Sequence, residues 1–97
     1  MTAARPRIDE VLAEPACGVQ RFILKELIEG ARSADQLIWR IYVGADEPDN
    51  PNNVIRVSVW RLRKKLRPGW KIVTAPDYDG AHTLGRHQRY ELRQVTG

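Results

Sequence analysis

Six cations, Arg56, Arg61, Arg63, Lys64, Lys65 and Arg67, fall within twelve residues that contain no acid. Asn53, Val57, Ser58 and Trp60 accompany them. These residue types suit one chemistry, the recognition of double-stranded DNA. An arginine fork takes guanine bidentately, and an aliphatic side chain packs on the thymine methyl. Cations and hydroxyls beside them grip phosphates on the lips of the groove. At about 100° per residue, the segment sorts into faces. Ile55, Val59, Leu62 and Leu66 make a core seam, and Asn53, Val57, Trp60, Arg61 and Lys64 gather opposite it. Arg56, Arg63 and Arg67 flank that face on one side, Ser58 and Lys65 on the other. Base contacts are therefore expected from Asn53, Val57, Arg61 and Lys64, and phosphate contacts from Arg56, Ser58, Arg63, Lys65 and Arg67. Trp60 has three open placements: on the deoxyribose–phosphate backbone, over the loop before this helix, or in a protein interface.

The distribution of charge agrees with a polyanionic partner. Residues 1–50 hold six Lys/Arg and nine Asp/Glu, a net charge of −3. Residues 51–97 hold ten Lys/Arg and three Asp/Glu, a net charge of +7. Positive charge segregated in this way is an electrostatic footprint for nucleic acid. The 97 residues fit one small domain. Its Trp, Tyr and Phe residues are expected to add bulk to the core. No stretch approaches the roughly 18 apolar residues of a membrane span. No secretory leader is evident, and the one cysteine, Cys17, has no partner for a disulfide. The expectation is a cytoplasmic, nucleoid-associated protein.

The elements that would position the basic segment can be read in order. Residues 1–17 read as a partly flexible arm with a helical turn or two at Ile8, Val11 and Leu12, ahead of a domain over 18–97. Phe22, Ile23, Leu24, Leu27 and Ile28 recur at helical spacing and predict a helix over 19–29, stopped by Gly30. After a very short turn at Ala31 and Arg32, Ser33-Ala34-Asp35-Gln36 matches the capping box of a second helix. Leu37, Ile38, Ile41 and Tyr42 form its buried stripe. Gly44 to Asn50 is an acidic loop. Asn50 and Pro51 then suit the cap and first position of the basic helix, which is expected to run to about Arg67. Beyond Pro68-Gly69 the period changes to two. Residues 70–74 and 89–95 predict two strands joined by a long tip containing Gly80 and Gly85. The fold class is α+β: a winged helix-turn-helix with a three-helix core followed by a β-hairpin wing. Arg86, His87 and Arg89 sit near the wing tip, within reach of a minor groove or a neighbouring phosphate.

The run from Asn53 to Leu66 resembles the recognition helix of the OmpR/PhoB-type effector domains of bacterial response regulators. Arg61-Leu62-Arg63-Lys64-Lys65-Leu66 is its most specific part, and Ile72-Val73-Thr74 and Arg89-Tyr90-Glu91-Leu92 are similar to that family's wing strands. The resemblance covers about Val19 to Val95. It implies a DNA-binding winged helix, base contacts from Val57 and Arg61, phosphate contacts from Ser58 and Arg63, and Thr74 and Tyr90 near the DNA backbone. It also implies head-to-tail copies on DNA and an approach to the transcription machinery. Arg56 stands where the family usually has an acid, and Trp60 where a small or polar residue is usual. The long segment between the strands replaces the family's tight Gly-Tyr turn. A stand-alone regulator of bacterial or phage type is expected, without a receiver domain.

Other chemistries find little footing. His82 and His87 lack zinc-ligand spacing with Cys17 or with each other. Asp77-Tyr78-Asp79-Gly80 has a faint likeness to a calcium loop, but Gln88 stands where the closing Glu would be. No phosphate-cradling glycine loop and no nucleophile paired with a base is present. The sequence thus predicts a sequence-specific transcriptional regulator that is not an enzyme and uses no metal or cofactor. Two alternatives remain: an architectural protein that coats DNA, and a winged helix that binds protein through Val57 and Trp60.

Overall fold

In a computed structural model, describing residues 5–16, 18–76 and 88–95, the chain forms a compact α+β unit. The described residues contain four helices: α1 (Ile8–Val11), α2 (Val19–Glu29), α3 (Ala34–Ile41) and α4 (Pro51–Lys65). Three strands, β1 (Arg32–Ser33), β2 (Trp70–Pro76) and β3 (Gln88–Gln94), pair antiparallel in the order β1-β3-β2.

Local signals set most helix boundaries. Ser33 Oγ accepts from the Gln36 backbone N–H at 3.1 Å, and Gln36 Oε1 accepts from the Ser33 N–H at 2.8 Å. This reciprocal pair satisfies two N–H groups that the first turn of α3 would otherwise leave open. Asn50 Oδ1 accepts from Asn53 N–H at 3.2 Å, and Pro51 occupies the first turn of α4. After α4, the Trp70 N–H reaches the Arg67 carbonyl at 3.2 Å. Pro68 presets the backbone of this turn, and Gly69 takes φ +97°, which L side chains rarely adopt.

One core joins the layers. Ile23, Leu24 and Leu27 of α2 meet Leu37 and Ile38 of α3, Ile55, Val59 and Leu62 of α4, and Ile72 and Tyr90 from the sheet. Across the back of this core, Arg32 Nε and Arg40 Nε both approach Glu26 Oε1, at 3.3 and 3.4 Å. One carboxylate therefore links α2, β1 and α3.

Four features differ from the sequence reading. The supposed turn at Ala31–Arg32 leads into β1, where Arg32 and Ser33 pair with Tyr90 and Arg89. Two residues carry no alternating pattern; their extended form comes from the free edge of β3. The supposed arm is part of the fold over residues 8–16, with Val11, Leu12 and Ala16 buried in the core. Helix α4 stops at Lys65 instead of near Arg67, because Leu66 turns extended and bridges Leu12. The Ala13 N–H donates to the Lys65 carbonyl and the Arg67 N–H to the Val11 carbonyl, both at 2.7 Å. Finally, Trp39 (67% exposed), Trp60 (54%) and Phe22 (37%) contribute little to the core. Each projects from a helix whose buried stripe is already filled by aliphatic side chains.

Candidate nucleic-acid interface

Helix α4 turns one seam inward and leaves the rest to solvent. Asn53, Val57, Trp60, Arg61 and Lys64 are exposed, as the helical period predicts. Lys64 Nζ lies 3.5 Å from the centroid of the Trp60 ring. The two are one helical turn apart, so the cation covers one face of the indole and holds the side chain along the helix.

A cleft of about 620 Å³ separates the flank of α4 from the β2–β3 hairpin. Arg56 and Arg63 enter it from the helix, Thr74 and Tyr90 from the strands, and Trp60 stands at its side. Arg63 Nε donates to the Ile72 carbonyl at 3.0 Å, which anchors that guanidinium against β2. Tyr90 lies on the middle strand and is 2% exposed. Burial pushes its phenol above the usual value, while the charges of Arg63 and Arg56 pull it back down.

That balance has a consequence at alkaline pH. With its folded pKa raised, Tyr90 favours the folded state fully below the unfolded value of 10.0 and loses that contribution as pH rises through its folded pKa. Stability is expected to fall above about pH 10 in the wild type and to fall less in Tyr90→Phe. Thermal melts across that range, with phenolate absorbance followed in parallel, check this. An equal alkaline loss in the variant would remove Tyr90 as the cause.

The expected phosphate-facing residues divide into three groups. Arg56, Arg63, Trp60, Thr74 and Tyr90 converge on the cleft. Lys65 and Arg67 turn instead to the amino-terminal segment. Lys65 Nζ donates to Gln20 Oε1 at 2.8 Å, and Arg67 Nε donates to the Asp9 carbonyl at 3.1 Å. Ser58, like Tyr90 within the cleft, is buried, which corrects the expectation of a phosphate contact from its side chain. Ser58, 8% exposed, sits three residues after Ile55 and four before Leu62, so it shares their inward seam. Arg89 is exposed on β3 beside the cleft residue Gln88. Arg86, His87, His82, Cys17 and the segment Asp77 to Gly80 lie outside the described residues.

Asn52 and Gln88 also line the cleft and were not anticipated. A signal for Asn52 was present: Asn52, Arg56, Val59 and Arg63 recur at spacings of four, three and four, one seam of a helix. No family model matches the chain, and no similar curated protein or solved structure was found. The geometry is that of a small α+β protein whose basic helix borders a cleft, lined by Arg56 and Arg63, against a β-hairpin. No helix among the described residues is long and apolar enough to cross a membrane.

Proposed function

We propose that the protein is a winged helix-turn-helix that binds double-stranded DNA, with α4 in the major groove and the β2–β3 hairpin against the adjoining backbone. The observation that carries this reading is the exposed face of α4: Asn53, Val57, Arg61 and Lys64 stand together on a helix that contains no acid. A groove about 12 Å wide admits such a helix. Arg61 and Val57 read base edges, assisted by Asn53 and Lys64. Arg56 and Arg63, at the cleft beside that face, bind phosphate. In this reading the protein acts as a sequence-specific transcriptional regulator, cytoplasmic and associated with the nucleoid.

Phosphate neutralisation releases counterions, so affinity should fall steeply with salt, with a log–log slope of about −0.9 per phosphate contact. Fluorescence anisotropy on a random duplex pool at two salt concentrations, followed by sequencing of the bound fraction, tests this. Salt-sensitive binding with an enriched motif is the expected outcome. Salt-sensitive binding without a motif would replace the regulator with a protein that coats DNA. Absence of binding at low salt would overturn the proposal.

A further inference from the structure

The cleft between α4 and the β2–β3 hairpin has three properties that a duplex phosphate does not use together. First, Arg56 and Arg63 line it, and none of the described lining residues is acidic. Arg56 and Arg63 stand two helical turns apart on one seam of α4 and line the cleft together with Tyr90 of β3. Two like charges lining one cleft, with no acid among the described lining residues, leave a positive potential for an anion. Second, Val57 and Trp60 give the same cleft an exposed apolar side, and its volume of about 620 Å³ is that of a small-molecule site rather than of one phosphate group. Third, Asn52 lines the cleft, and its buried Oδ1 has no hydrogen-bond partner among the described residues. That acceptor is closed off as the cleft stands, so a ligand N–H or O–H reaches it once the Asn52 amide turns outward, which would give a donor to an oxygen otherwise left without one.

We propose that this cleft binds a small aromatic anion carrying a hydrogen-bond donor, a free nucleoside monophosphate being the chemistry that meets all three properties. The phosphate lies between Arg56 and Arg63, where charge-assisted hydrogen bonds are strongest. The base packs against Trp60 and Val57, and an N–H or ribose O–H donates to Asn52 Oδ1 once that amide has turned into the cleft. Duplex backbone satisfies only the first property. Phosphodiester and deoxyribose offer acceptors but no donor, and the bases are stacked inside. Because Arg56, Arg63 and Trp60 also belong to the surface proposed to meet DNA, the bound nucleotide competes with duplex; that competition alone rests on the DNA-binding reading.

Calorimetric titration of the full chain with AMP and with GMP, beside inorganic phosphate, tests the site without DNA. Saturable binding of at least one nucleotide, about tenfold or more tighter than inorganic phosphate, is expected. Arg56→Ala should weaken the nucleotide about tenfold, and Arg61→Ala, outside the cleft, should leave it unchanged. Asn52→Ala should weaken the nucleotide but not inorganic phosphate, a split that loss of fold would not produce. The Trp60 indole N–H resonance, assigned with Trp60→Phe, should shift on nucleotide addition. Nucleotides binding no better than phosphate, or equal losses in Arg56→Ala and Arg61→Ala, would overturn the proposal. So would tighter binding of a single-stranded tetranucleotide than of either mononucleotide, since the cleft would then be reading a strand. Nucleotide binding without duplex binding would remove the DNA reading and keep this site; the reverse result would do the opposite.

Discussion

Arg61→Ala is expected to lower affinity for the selected DNA site by about 5- to 150-fold while leaving random duplex far less affected. The range follows from about 1–3 kcal/mol of discrimination for one bidentate arginine–guanine pair. Arg61 is exposed on α4, and no hydrogen bond or ion pair holds it among the described residues. Its fork is therefore available to a base edge, and its loss removes a contact without disturbing the core. Arg56→Ala provides the contrast. As a phosphate ligand, Arg56 should weaken all sequences alike and reduce the salt slope by about one. Lys65 cannot serve as this control, because its ammonium is bonded to Gln20. Competition binding with specific and random duplexes separates the two effects. Equal losses on both duplexes for Arg61→Ala would end its assignment to base reading.

Leu62→Ala should be the more damaging change to the protein itself, by about 2–5 kcal/mol. Leu62 has no exposed surface and lies where α4 faces the other core helices and the sheet. Truncation removes apolar contact and leaves a cavity that neighbours on several elements cannot all close at once. Against a total of about 5–15 kcal/mol for a small domain, that is a large fraction. In a domain of this size, each kcal/mol moves the midpoint by about 4–8 °C, so a drop of about 10–40 °C is expected. Thermal unfolding followed by circular dichroism measures it. Arg61→Ala should stay within about 0.5 kcal/mol of wild type in the same experiment, as an exposed substitution without partners among the described residues. A Leu62→Ala loss below about 1 kcal/mol would mean that α4 is not packed as described.

The sequence discloses those parts of this architecture that depend on near neighbours. Ser33 with Gln36, and Asn50 with Pro51, mark helix starts because capping is settled within four residues. The inward seam of Ile55, Val59 and Leu62 follows from helical periodicity alone. What escaped depends on partners far along the chain. Strand β1 exists because β3 offers it an edge, and α4 ends two residues early because residues 11–13 capture its last turn. Arg63, Lys65 and Arg67 look equivalent in sequence, yet each is turned to a different backbone or side-chain oxygen. Ser58 is legible as an inward residue from its spacing, although a hydroxyl by itself suggests a surface position. The cleft became visible only when the hairpin was placed beside α4, although the seam through Asn52, Arg56 and Arg63 was already written in the spacing.

Strand β3 has a role in time as well as in space. It is the middle strand, and β1 and β2 pair with it and not with each other. On a ribosome, all four helices and both outer strands are made before β3 is. Until then neither outer strand has a partner, and Ile72 lacks the roof that Tyr90 and Leu92 later provide. The helical layer can gather as it emerges, through contacts of shorter loop length. The sheet cannot begin until its middle strand arrives, and the cleft comes into being with it.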